Sequence, residues 1–175
     1  KIAWFGKVPP MDQHVAEKRP RSRPRKTVQD RDDGNRRQLL IAGAARLFRQ
    51  KGFDATSTRD IAAAVGMQSG SPFYHFESKG ALLYAVMEEG MRAAIAQQAD
   101  ALQKSEHLTQ GPRGLLAILI RNHFDVLLGP GSDFIPVMPY ESRAIAAGQR
   151  AALAALHGEY EAPWVPVLQA LHAAG

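Results

Sequence analysis

STRDIAAAVGMQSGSPFYHFESK, Ser57 to Lys79, sets the reading of everything around it in this 175-residue chain. Ile61, Ala62 and Val65 recur at the spacing that puts small apolar groups on one inner helix face. Ser57 with Asp60 three residues later is a helix-start pattern, because each side chain can take a backbone N–H that the first turn leaves unbonded. Gly66 follows where a turn is needed, and positive φ is cheap for glycine. Beyond it, Gln68, Ser69 and Ser71 open a second helix with short polar side chains, and Phe73, Tyr74, His75 and Phe76 continue it. Two short helices about a glycine turn, the second with a polar tip, make a helix-turn-helix whose tip can meet base edges in a major groove. Gln pairs bidentately with adenine, Ser donates or accepts at several bases, and Gly70 lets the backbone come close.

Upstream, Leu40, Ala44, Leu47 and Phe48 form the stripe of an amphipathic helix predicted over Arg36 to Lys51. Asp33-Gly34-Asn35 punctuates its start, and Gly52 ends it as a left-handed cap with Phe53 placed to fold back on the last turn. This helix is scaffold. Earlier still, KRPRSRPRK (Lys18 to Lys26) holds six cations in nine residues, with two prolines that forbid a helix. Such a run is a solvated tail when free, and on DNA an arm along phosphates or in an A·T-rich minor groove. KIAWFGKVPP at the front is too short and broken for a secretory signal, Met11 is a candidate start, and the segment is set aside.

Downstream, Ser78 is placed to cap a long helix from Lys79 to about Leu102. Ala81, Leu82, Ala85, Val86, Glu89 and Ile95 give it one side, and Gly90 is a weak point. Ser105 to Pro112 reads as a loop. Arg113 to about Leu128 is apolar nearly all round, the pattern of a buried helix, and Gly129-Pro130-Gly131 stops it. A Pro-punctuated stretch, an alanine-rich helix near Arg143 to Leu156, and a last segment, Tyr160 to Ala174, complete the chain. Pro163 and Pro166 start or kink a helix there.

Composition bounds the function. Hydrophobic residues make 45% and charged ones 22%, enough to bury a core. Absence of cysteine removes disulfides and thiolate chemistry and fits a reducing compartment, so a soluble cytoplasmic protein is expected. No apolar run approaches the roughly 20 residues of a membrane span, so no membrane partner is expected. Net charge is +5, divided as +4 over residues 1–35, +4 over 36–80 and −3 over 81–175. The basic half is the half with the helix-turn-helix, and a polyanion is the partner that field attracts. Nothing reads as an enzyme: no Ser/His/Asp elbow, GxGxxG or HExxH is present, and His75 has no ligand-spaced partner for a metal.

LLIAGAARLFRQKGF, ATSTRDIAAAVGMQSGS and FYHFESKGALL, in register with the turn glycine, aromatic cluster and Ser78-Lys79, resemble the DNA-binding domain of the tetracycline-repressor (TetR) family over about Arg36 to Leu83. The resemblance implies an all-α protein: an arm over 1–35, a three-helix helix-turn-helix domain over 36–80 and a helical ligand-binding domain over 81–175. It implies base contacts from Gln68, Ser69, Gly70 and Ser71, phosphate or flanking contacts from Thr58 and Arg59, and backbone contacts from Phe73, Tyr74, His75 and Lys79. Apolar character alone reads Phe73 and Phe76 as core. Pro72 departs from the family's aliphatic residue and alters the pitch of the reading helix.

The family implies a small-molecule pocket in the C-terminal half, with candidates Arg121, His123, Phe124, Phe134, Met138, Tyr140 and Trp164, and Arg143 as a second cation for an anionic group. Plain core packing is the competing reading of each. MPYESR resembles regulators of acyl-CoA and lipid catabolism, which implies an acyl-CoA or other lipid-derived effector and no cofactor. The expected protein is a homodimeric repressor that leaves a palindromic operator when its effector binds; a nonspecific architectural DNA binder is the alternative. Family members commonly continue through two more long helices that pair as a four-helix bundle, so the fold is expected truncated at its C-terminal end.

Overall fold

A computed structural model describes residues 28–67, 74–105, 111–135, 137 and 142–174. Every regular element in them is helical: α1 (Val28–Lys51), α2 (Thr58–Ala64), α3 (Lys79–Ser105), α4 (Gly111–Leu128), α5 (Ala147–Glu161) and α6 (Trp164–Ala173), with 3₁₀ turns at Ser132–Phe134 and Ser142–Ala144. No described helix is long and apolar enough to cross a membrane. Lys18 to Lys26, Gln68 to Phe73, Met138 and Tyr140 lie outside the described residues.

α1 begins eight residues before the expected Arg36 and runs through Asp33-Gly34-Asn35. Once the packed stretch from Leu40 is helical, each added residue gains a hydrogen bond at small propensity cost, and a Cβ on Gly34 would meet nothing. At its other end the expected cap forms: Gly52 takes φ 80°, and the Phe53 ring folds back to 5.4 Å from that of Phe48. Leu40, Ala44 and Phe48 are buried, while Leu47 is partly so.

α3 is the spine, packed against α1, α4 and α5. Ser78 Oγ caps it, accepting from the Ala81 N–H at 3.0 Å, and the helix runs three residues past Leu102. Leu82, Leu83, Val86 and Met87 are buried, but Glu89 is exposed and does not join them. Gly90 is no weak point: a Cβ there would stand 2.1 Å from the Phe134 ring, so glycine is what lets that ring reach the helix. A single apolar cluster runs from Leu40 and Ile61 through Met87 to Leu153 and Tyr160, so the two halves of the chain share one core.

α4 is not buried all round. Leu119, Asn122 and Val126 are, but Ile120, Phe124 and Leu128 are 42, 55 and 79% exposed. The exposed side carries Arg113, Arg121 and Asp125 and, beside them, the apolar strip Ile120, Phe124 and Leu128, which the periodicity does not distinguish from the buried face. α5 starts at Ala147, four residues after Arg143, which sits in the 3₁₀ turn Ser142–Ala144. Pro163 precedes α6 and Pro166 is its third residue, where the missing N–H would have had no helical partner.

Candidate nucleic-acid interface and ligand cavity

The local geometry of the helix-turn-helix follows its sequence. Ser57 Oγ accepts the Asp60 N–H at 3.1 Å while Asp60 Oδ2 accepts the Ser57 N–H at 2.9 Å, a reciprocal capping box. The Ser57 hydroxyl also donates to Asp60 Oδ2 at 2.7 Å, and this bond first, with that from the Ser57 N–H second, holds the Asp60 carboxyl below its usual range. α2 then stops at Gly66, φ 70°, with the Met67 N–H returning to the Ala62 carbonyl at 2.8 Å. α2 lies close against α1, since a Cβ on Gly43 would be 2.5 Å from Val65 Cγ1. The turn that closes α2, as far as Met67, is therefore fixed on both sides.

The loop before α2 is pinned from the far side. Lys79 Nζ donates to the carbonyls of Phe53 at 2.8 Å and Thr56 at 3.0 Å, 4.1 Å above the Phe53 ring. Thr56, fully buried, donates its hydroxyl to the Gly52 carbonyl at 2.7 Å. So Lys79, expected at the DNA backbone, spends two of its three donors inside the protein. Arg59 is exposed and Thr58 half-buried. Tyr74 is 78% exposed, its ring edge-on to His75 at 5.1 Å, while Phe76 is core with the Arg37 guanidinium 5.0 Å above it. The base-reading candidates Gln68, Ser69, Gly70 and Ser71, with Phe73, fall outside the described residues.

In the C-terminal half a cavity of about 430 Å³ opens among Met91, Ala94, Val126, Leu127, Phe134 and Ile135, edged by His123, His157 and Tyr160. That is the size of a small-molecule site. His123 Nδ1 lies 3.0 Å from the Tyr160 hydroxyl; Tyr160 donates when Nδ1 is bare and accepts when it carries the proton. Burial pushes the Tyr160 hydroxyl upward, keeping it protonated. Of the expected ligand residues, His123 and Phe134 line this cavity. Phe124 and Trp164 line a neighbouring groove with Ile120, Val165 and Leu168, and Arg121 lies beside Asn122 and Asp125 in another depression, because each step along α4 turns a side chain by about 100°. Arg143 is exposed. Met138 and Tyr140 are outside the described residues.

Gln98, which sequence reasoning missed, organises this end of the fold. It is 2% exposed, donates Nε2–H to the Tyr160 carbonyl at 2.8 Å and accepts the Trp164 Nε1–H at 3.0 Å. Its signal was a polar residue at a stripe position, continuing Met87, Met91 and Ala94. Asn122, 3% exposed, has an Nδ2 without a partner.

The family model for bacterial regulatory proteins of the tetR family matches residues 40–86, the span from the middle of α1 into α3. The HTH-type transcriptional repressor KstR2 of Rhodococcus jostii is 27% identical over 136 residues, covering 77% of this chain and 64% of the repressor. A solved structure described as superantigen pfit is 39% identical with TM-score 0.66, covering 79% of this chain and 66% of that one. AibR, solved in complex with isovaleryl coenzyme A and operator DNA, is 24% identical with TM-score 0.66, covering 77% and 70%, and shares the fold. The chain thus spans 64% of the curated relative's length. With a capping box, a left-handed Gly66 and a buried Phe76 all inside the matched span, residues 40–86 form a DNA-binding domain of the tetR family of bacterial regulatory proteins.

Proposed function

We propose that this protein is a ligand-responsive transcriptional repressor that binds a palindromic operator as a homodimer. The observation that carries the reading is the capped α2–Gly66 turn, held against α1 at Gly43, with the loop before α2 pinned to the start of α3 by Lys79. A polar-tipped helix delivered from such a frame suits a major groove. Gln68, Ser69 and Ser71 read bases, Arg59 and Tyr74 contact the backbone, and the basic arm adds salt-sensitive affinity.

The apolar cavity with its His123–Tyr160 polar edge takes the effector, a small molecule with an apolar body. The description of AibR with isovaleryl coenzyme A and operator DNA supports a fold with both sites, and lipid-derived acyl groups suit the lining. Two-fold pairing of half-sites about 34–36 Å apart needs a surface for a second copy, and the exposed apolar face of α4 and α6 suits it.

Selection of bound DNA from a random pool, with sedimentation of the complex, tests the reading. A palindromic motif bound by two chains is expected, with Gln68→Ala and Ser71→Ala each relaxing one base position by about 1–3 kcal/mol. Binding with a steep salt dependence and no motif would instead establish a charge-driven architectural protein.

A further inference from the structure

The effector cavity is not the only space that Phe134 borders. A second cavity, about 230 Å³, lies between α1 and α3 and is lined by Gln38, Ile41, Ala45, Val86 and Gly90. Among the described residues, Phe134 is common to the linings of both. Its ring, 6% exposed, sits against Gly90 so closely that a Cβ there would be 2.1 Å away. The ring is held in one short turn, Ser132–Phe134, entered through Gly131 at φ 88°. The next residue back, Asp133, reaches α1: its Oδ1 lies 2.6 Å from Nη1 of Arg49, in the last turn before the Gly52 cap and the pinned loop.

We infer that Phe134 is a movable partition, and that an occupant of the larger cavity acts on the helix-turn-helix through Phe134, Asp133 and Arg49 rather than only through the spine α3. The inference rests on the effector reading of the larger cavity. Close-packed interiors pass a displacement on instead of absorbing it, and the ring has empty volume on its α1 side into which it can be driven. A single turn between a left-handed glycine and a chain of packed residues moves as a unit, so displacing the ring drags the Asp133 carboxylate and the end of α1 that it holds. The Arg49–Asp133 pair is half-exposed and contributes little to stability, so it can be removed without loosening the fold. Its role is linkage.

The test needs no effector, because Gly90→Ala forces the ring out of its notch. Four full-length proteins are compared: the parent, Gly90→Ala, Gly90→Ala/Phe134→Ala and Gly90→Ala/Asp133→Ala. Hydrogen exchange is followed in α1 residues 44–51 and in α3, and affinity for pool-selected DNA is measured in parallel. Gly90→Ala should raise exchange at the end of α1 by about 4-fold, and either second substitution should return it to within about 1.5-fold of the parent. Unchanged α1 exchange in Gly90→Ala, or a rise that persists without Asp133, overturns the route. A rise in α1 exchange with undiminished DNA affinity upholds the partition and sinks the repressor reading instead. Should Gly90→Ala fail to fold, Ala94→Leu, which crowds the larger cavity from its own wall, replaces it with the same second substitutions and the same criteria.

Discussion

Trp164 donates its indole N–H to Gln98 Oε1 at 3.0 Å, so that one buried amide on α3 fixes the first residue of α6, and through the Tyr160 carbonyl it fixes the last turn of α5 as well. A buried polar group with its partners in place specifies one arrangement, and half-satisfied it is costly. Gln98→Ala should therefore cost about 1–3 kcal/mol, since it leaves the Trp164 N–H unbonded. Trp164→Phe combined with Gln98→Leu should recover part of that loss. Urea denaturation of Trp164→Phe, Gln98→Leu and the double variant, beside Gln98→Ala, measures it, and additive losses would show that the two residues do not act as a pair.

Lys79 and Arg59 separate structure from contact. Lys79→Met removes two charge-assisted bonds to the Phe53 and Thr56 carbonyls and should lower stability by about 1.5–3 kcal/mol along with DNA affinity. Arg59→Ala, at an exposed position, should lower DNA affinity and reduce the salt slope by about 1 while leaving the melting temperature unchanged. Equal thermal effects from both would mean that the lysine's internal bonds add nothing.

The same substitution should have opposite signs at two glycines. Gly66 holds φ 70°, so Gly66→Ala forces a side chain into the left-handed region at about 1–2 kcal/mol, although nothing crowds its Cβ. Gly158 lies inside α5 with open space where a Cβ would go, so Gly158→Ala should stabilise by about 0.5–1 kcal/mol. Thermal melts of the two decide it.

Acid should undo the α2 cap. The Asp60 carboxyl is held below its ordinary 3.8 by the Ser57 hydroxyl and N–H, so its contribution is complete above 3.8 and disappears as pH falls through the lowered value. The parent should melt above Asp60→Ala at neutral pH, and the gap should close on acidification. A gap that widens in acid would reverse the assignment.

The amino-acid sequence by itself determined the local elements, because their causes are local. Ser57, Asp60 and Gly66 act on backbone within a few residues, and the structure carries the cap and the left-handed turn where those residues stand. The family, too, was legible in the register of LLIAGAARLFRQKGF with the turn glycine and Ser78-Lys79. What only tertiary structure decided is what each side chain faces. Lys79 reads in the sequence as a phosphate contact, and only the folded chain brings two carbonyls 23 and 26 residues away within its reach. Gly90 looked like a soft point in a helix until Phe134, 44 residues on, was found to need its missing Cβ. α4 looked buried all round because its exposed apolar strip, Ile120, Phe124 and Leu128, cannot be told from a buried one by periodicity. Burial and pairing across such separations depend on how whole helices pack, and that packing is settled by the complete core rather than by any one stretch of chain.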